Sequence, residues 1–332
     1  MKMVRAEVQP GAQDPGASDA SWFHTHDGPT WLVAAAIYGG WAAIVWFHAS
    51  LPWWVVAPVG GYLVAWHFSL QHEAIHAFRS APRWLRWTVV MPPIGLWLPF
   101  PLYYQSHRKH HQNTHLTEPR VDTESVYWRQ DDWARMSPLA RAILMANQTL
   151  AGRVLLGPCI RLVRLVARET ALVRAGDFSH LPHWTVHVVL VGLLFSYISG
   201  IAGMPWWQYV LLVAWPAFMY GWVRPFVEHS YGPPIGVGRN ADGDAPLDQA
   251  RPGERTAIIE SNRFWGWLFL YNNYHAVHHL HPTIPWFEIP AFYRVHRAKI
   301  LAHNGGYWLP GYLEVARRWL FKPVFPPVHP RW

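Results

Sequence analysis

The sequence predicts an all-α integral membrane protein, with four transmembrane helices in two hairpins carrying a cytoplasmic histidine-rich domain. Three observations predict it. Residues 31–77 and 175–223 contain no Lys or Arg, although the 332-residue chain holds 28 of them elsewhere. There are 23 Trp, whose apolar ring and polar N–H suit the boundary between lipid and water. Lastly, 21 His accompany a single cysteine, Cys159. One cysteine leaves no intramolecular disulfide and no cysteine-based zinc or iron–sulfur site.

Taken in order, residues 1–30 are rich in Pro, Gly, Asp and Ser without periodicity, and are expected to form a flexible tail. They show no basic segment followed by an apolar core and small-residue cleavage site, so no cleavable signal is expected. Residues 31–332 then form one domain. Its first hairpin, 31–71, has apolar runs at 31–48 and 53–70. Each is about 18 residues long, near the ~20 needed to cross ~30 Å of hydrocarbon. Trp31, Trp46, Trp53, Trp54 and Trp66 sit near the run ends, as boundary aromatics do. The second hairpin, 184–223, turns at Gly-Ile-Ala-Gly-Met-Pro, residues 200–205.

Between the hairpins, residues 72–183 form a cytoplasmic and interfacial region. Residues 84–104 are apolar but interrupted by Pro92, Pro93, Pro99 and Pro101, which suits a path along the interface. Residues 138–174 predict a helix with Arg161, Arg164 and Arg168 on one face, as in a helix lying on lipid headgroups. A further span at 143–160 would put Asn147, Gln148 and Arg153 in lipid, at high cost. The C-terminal region, 224–332, is again charged. By the positive-inside rule all three basic regions face the cytoplasm. The net charge of +8 forms no compact stripe and no nucleic-acid motif, so nucleic acid is not an expected partner.

The chemistry is concentrated in three short runs. His72-Glu-Ala-Ile-His76 puts two imidazoles one helical turn apart. His107-Arg-Lys-His110-His111 and His275-Ala-Val-His278-His279 repeat the pattern H-x-x-H-H. Positions i, i+3 and i+4 share a helix face, so each triplet is expected to aim its nitrogens at one point. Neutral imidazole is a ligand for iron, zinc and copper. Such clustering has no ordinary packing purpose, whereas the isolated His48, His67, His183 and His187 read as hydrogen-bonded structural residues. The first run is also H-E-x-x-H, the zinc-protease motif with Glu73 as base. A zinc hydrolase needs about three protein ligands and leaves both triplets unexplained. A metal transporter would need its ligands near the bilayer midplane, but these lie at helix ends.

The three runs in this order, and the phrases at 106–111 and 275–290, resemble the membrane fatty acid desaturase and hydroxylase superfamily, which includes alkane monooxygenases. The resemblance covers roughly residues 30–320, and the third phrase is most similar to bacterial acyl-lipid desaturases. It implies two iron ions activating O2, held by His72, His76, His107, His110, His111, His275, His278 and His279. The implied ninth ligand is His229, with Asn272 or Asn273 acting through water as the alternative. Glu73, Asp122 and Glu228 are candidates to orient imidazole N–H groups, while His115 and His281 fit positions beside the centre or on the surface. The implied reaction is desaturation of a fatty acyl chain. Hydroxylation of an acyl chain, headgroup, alkane or carotenoid by the same centre is the alternative.

The sequence has no His-Pro-Gly-Gly haem segment, cysteine cluster or G-x-G-x-x-G loop, so electrons are expected from an external ferredoxin, rubredoxin or cytochrome. The expected location is a bacterial inner membrane, with the active site and both termini on the cytoplasmic side.

Overall fold

Helix α1 (Trp22–Thr25) and helix α2 (Gly28–Trp46) open the computed structural model, which describes residues 22–112, 115–244 and 246–332. The expected tail at 1–21 lies outside these residues, but its last part, 22–30, is not a tail. Asp27 is buried and accepts hydrogen bonds from the backbone N–H groups of Arg79 (2.8 Å) and Ser80 (2.7 Å). That tie crosses about fifty positions of chain, and local composition carries no sign of it.

Helix α2 and helix α3 (Trp53–His76) form the first hairpin. Val33, Ile37, Trp41 and Ile44 recur at helical spacing on the buried face of α2, while Leu32 on the other side is 61% exposed. Apolar residues all round are found in a helix of a large core or in a membrane span. Helix α4 (Arg83–Val90) and helix α5 (Phe100–Gln112) follow, joined by the proline-interrupted turn at 91–99. Helix α6 (Gln130–Ala134) is short. The single helix expected at 138–174 is two: α7 (Pro138–Ala146) and α8 (Leu150–Arg174). Thr149 ends the connection by accepting the Gly152 N–H at 2.9 Å, a side-chain cap that starts a new helix.

Helix α9 (Leu181–Phe195) continues through a π-helical turn to Ile201. The return limb is helix α10 (Trp206–Tyr209), a second π turn (Val210–Ala214) and helix α11 (Trp215–Val223). Gly28–Trp46 and Leu181–Ile201 are long and apolar enough to cross a membrane. Val188, Val189 and Leu193 of α9 are all exposed, an arrangement that water penalises and lipid does not. Helix α3 has 24 residues, but its last turns carry Gln71, His72, Glu73 and His76.

The hairpins meet along α3 and α11. A side chain at Gly61 would begin 2.6 Å from Pro216 Cβ, so the glycine permits their close approach. Above it, Trp41 Nε1 donates to Tyr209 Oη (2.9 Å), which donates to the Ile94 carbonyl (2.5 Å). These bonds satisfy buried polar groups while tying α2 and α10 to the 91–99 turn.

Helix α12 (Arg263–Leu268), helix α13 (His275–Leu280), helix α14 (Ile289–His303) and helix α15 (Tyr312–Trp319) complete the chain with one small parallel sheet. In it β1 (Ile258–Ile259) pairs with β2 (Trp308–Leu309). The segment just before β1 is the tie-bar of this half. Thr256 bridges to His229, Ala257 N–H donates to the Glu228 carbonyl (3.0 Å), and Ala276 N–H donates to the Ala257 carbonyl (3.1 Å).

Candidate metal centre

The last turn of α3 supplies His72 and His76, α5 supplies His107, His110 and His111, and α13 supplies His275, His278 and His279. His229 comes from irregular chain just beyond α11, held by the Thr256 bridge. All nine converge, and they sort into two groups. His72, His76, His107, His111 and His278 form one; His110, His229, His275 and His279 form the other. Within each group the ligand nitrogens lie within 4.8 Å of one another. The groups adjoin: the His111 and His279 rings stack with centroids 4.5 Å apart.

This corrects the expectation that each triplet aims at one point. An α-helix turns about 100° per residue, so i and i+4 differ by about 40° while i+3 and i+4 differ by about 100°. His107 and His111 therefore serve one group and His110 the other; His275 and His279 serve the second group and His278 the first.

The Nδ1 side of three rings is fixed by carboxylates. His107 Nδ1 is 2.7 Å from Glu124, His110 Nδ1 is 2.8 Å from Asp122, and His275 Nδ1 is 3.0 Å from Glu228. A ring that donates from Nδ1 presents a lone pair at Nε2. Those lone pairs face other imidazole nitrogens. His229 Nε2 has His110, His275 and His279 Nε2 around it at 3.0, 2.9 and 3.1 Å, and His111 Nε2 has His107 and His278 Nε2 at 3.1 and 2.9 Å. One ring proton cannot satisfy three lone pairs. His76 Nε2 is buried with no hydrogen-bond partner among the described residues. A cation in each group resolves both problems. Nitrogens bound about 2.1 Å from one metal are about 3.0 Å apart at right angles and about 3.4 Å apart at the tetrahedral angle. The donor sets, five imidazoles in one group and four in the other, are compatible with a metal centre, iron included.

Electrostatics agrees with neutral donors. Burial, reinforced by His110, pushes His229 down to about 3, and burial with neighbouring imidazoles holds His275, His278 and His279 well below the usual range. His110 is the exception in the metal-free chain. Burial opposes its charge, but Glu124 and Asp122 outweigh it and push the ring up to about 9. Burial pushes the Glu228 carboxyl up to about 7, against the pull of Arg224 at 2.8 Å.

Of the candidates for orienting imidazoles, Asp122 and Glu228 do so, and Glu73 does not. Its carboxylate accepts the Trp286 backbone N–H at 3.1 Å, which removes it from the base position a zinc protease would require. The Asn272 amide lies between His72 Nε2 (3.2 Å) and His275 Nδ1 (3.0 Å), whereas Asn273 turns away to the Ile259 carbonyl (2.6 Å). His115 is exposed beside Glu118, and His281 packs on Phe292; neither joins a group. Sequence reasoning missed Glu124. Its signal was present in Asp122-Thr-Glu124, two carboxylates a short loop beyond the second run. That loop is itself held: Asp122 accepts the Thr117 N–H (2.8 Å) and the Glu124 N–H (2.9 Å), and Thr117 Oγ1 meets His329 Nε2 at 3.2 Å.

Beside the histidines opens a cavity of about 240 Å³. Phe68, Trp97, Phe218 and Trp222 give it apolar walls, and His72, Glu124, His229 and Asn272 line its metal-facing end.

The helical frame thus carries two histidine groups able to hold metal, with a largely apolar cavity beside them. The fatty acid desaturase family model matches residues 49–311, and the chain belongs to that family. Comparison with curated protein sequences finds no match.

Proposed function

We propose that the chain is an integral membrane oxidoreductase that binds one iron ion in each histidine group and desaturates a fatty acyl chain with O2. The observation that carries this reading is the sorting of nine histidines into groups of five and four beside an apolar cavity. When bound, the iron pair would supply O2 activation and hydrogen removal from an unactivated C–H bond.

The chain's own residues do the rest. Glu124, Asp122 and Glu228 hold protons on Nδ1 of their histidines, so the Nε2 atoms stay available as donors. Phe68, Trp97, Phe218 and Trp222 exclude water and fix which carbon of a chain lies beside the histidines. The exposed apolar face of α9 supports residence in a bilayer. In this reading α3 and the limb at 206–223 complete four spans, and the histidines lie on the cytoplasmic side of a bacterial inner membrane. Electrons come from a separate ferredoxin, rubredoxin or cytochrome, because a lone cysteine provides no cluster of its own.

Two measurements test the reading. Purified protein should contain about two irons per chain, and one zinc without iron would overturn it. Lipids from cells expressing the chain should show species lighter by two hydrogens than those from control cells. A gain of one oxygen instead would assign the same centre to hydroxylation of a lipid chain or headgroup, an alkane or a carotenoid.

A further inference from the structure

Arg153, Arg161 and Arg164 all lie on α8, Arg153 about two turns before Arg161 and Arg164 about one turn after it. The helix was expected to present Arg161, Arg164 and Arg168 to lipid headgroups, but only Arg168 points outward, to Glu169 at 2.8 Å. Arg161 lines the cavity that also holds His72, Glu124 and His229. With Arg153 and Arg164 it lines a smaller adjoining recess that shares Val126 and Trp222 with the cavity.

Arg224 in the same cavity wall has Glu228 at 2.8 Å. Among the described residues, no carboxylate lies within 4.0 Å of the three α8 guanidiniums. Arg161 and Arg164 reach the Thr123 and Ser125 carbonyls only at 3.4 Å each, the outer limit of a hydrogen bond. Arg153 is 1% exposed; it donates to the Asn147 carbonyl (3.0 Å) and Gln148 Oε1 (3.3 Å), and its Nη1 has no partner. Glu124, the acidic group in the cavity wall on this side, is taken by His107. Arg164 and Arg153 lie over the Trp128 and Phe226 rings at 5.0 and 5.7 Å, and Glu124 and Asp122 act on Arg161 only at a distance, so none of the three has a direct ionic partner among the described residues. Holding such charge in a partly dry site is costly, and a bound anion offsets that cost through charge-assisted hydrogen bonds.

We propose that Arg161, supported by Arg164 and Arg153, seats an anionic group of the substrate, a carboxylate or a phosphate monoester. The substrate is then an anion-headed amphiphile. Because Arg161 and the histidines share one cavity, the carbon that reacts lies close to its charged end. A neutral alkane lacks the group this wall is built to hold. The inference rests on reading the histidine site as an oxidising centre, but its test requires no turnover.

The full-length, iron-loaded chain in a neutral sugar detergent, which brings no lipid phosphate, is titrated with octanoate, monooctyl phosphate and octanol. Binding is read from the fluorescence of the cavity tryptophans Trp97 and Trp222. At least one anion should bind about tenfold more tightly than octanol, as expected for charge-assisted hydrogen bonds. Which anion binds separates carboxylate from phosphate. Arg161→Gln should remove most of that preference while keeping iron content and octanol affinity, and Arg161→Lys should retain part of it. If Arg161→Gln loses iron, Arg164→Gln is read instead, with a smaller loss of preference. Equal binding of octanol and both anions by the unaltered chain overturns the proposal, as does an undiminished preference in a fully metal-loaded Arg161→Gln chain. An anion preference without any lipid oxidation sinks the proposed function and leaves this site standing. Lipid oxidation without an anion preference does the reverse.

Discussion

His110 and His111 are adjacent in the chain, yet their rings stand at 88° with centroids 5.7 Å apart, and they belong to different histidine groups. The second group has four members and the first has five, so loss of one ligand should be felt unequally. His229→Ala leaves three imidazoles around the site that His229 Nε2 now centres. Iron analysis should fall from about two to about one per chain, with the five-membered group still loaded. His115→Ala, which alters an exposed ring outside both groups, should leave the metal content unchanged.

Glu124→Gln keeps an oxygen for the His107 N–H but removes the negative charge 2.7 Å away. The imidazole becomes a weaker donor. Loss of such an orienting carboxylate costs about 10–100-fold in metal affinity or activity. Competition with a graded series of chelators should show that loss, with helix content unchanged by circular dichroism.

Metal-free protein should become less stable as pH falls below about 6.5. His229 titrates near 3 in the folded chain, and His275, His278 and His279 also lie well below the usual histidine range, all chiefly through burial. Below about 6.5 the unfolded chain binds protons that these folded rings refuse, so stability is present above that pH and is lost toward 3. His110, raised to about 9, acts oppositely: its contribution is complete below about 6.5 and is lost as pH rises through 9. The lowered rings outnumber it, so melting temperature measured in chelator should drop on the acid side. Bound metal should raise the melting temperature near neutral pH and steepen the acid-side drop, because ligand rings, His110 included, cannot take up protons while they hold a metal.

Gly61→Val would force α3 away from Pro216 of α11. Overpacking of this kind costs about 1–3 kcal/mol. Thermal unfolding in detergent should show a lower melting temperature, while Gly192→Val on the open side of α9, where an added side chain meets nothing within 4 Å, should not.

The sequence made the histidines legible because spacing along a helix is a local property, and eight of the nine lie in runs whose periodicity can be read directly. His229 was reached only by resemblance; what fixes it is the bridge to Thr256, a pairing between distant segments. The division into two groups followed from the angle between i+3 and i+4, yet which rings share a group depends on how α3, α5 and α13 meet. The inward turn of Arg161 and Arg164 was illegible for a similar reason. A row of arginines on an amphipathic helix looks the same facing phosphate headgroups or the 123–125 loop. The order of residues 22–30 rested on Asp27 finding the Arg79 and Ser80 amides, a long-range match with no local periodicity.

The sorting of the rings also sets an order of events at the ribosome. His278 belongs to the five-membered group and His275 and His279 to the four-membered one, so neither group is complete until α13 has been synthesised and docked. Before that point α3 and α5 can offer His72, His76, His107 and His111 to the first group, while the second has only His110 and His229. If the centre holds iron as proposed, the complete sites would form only after α13 docks, so loading of both groups would follow insertion of the earlier helices.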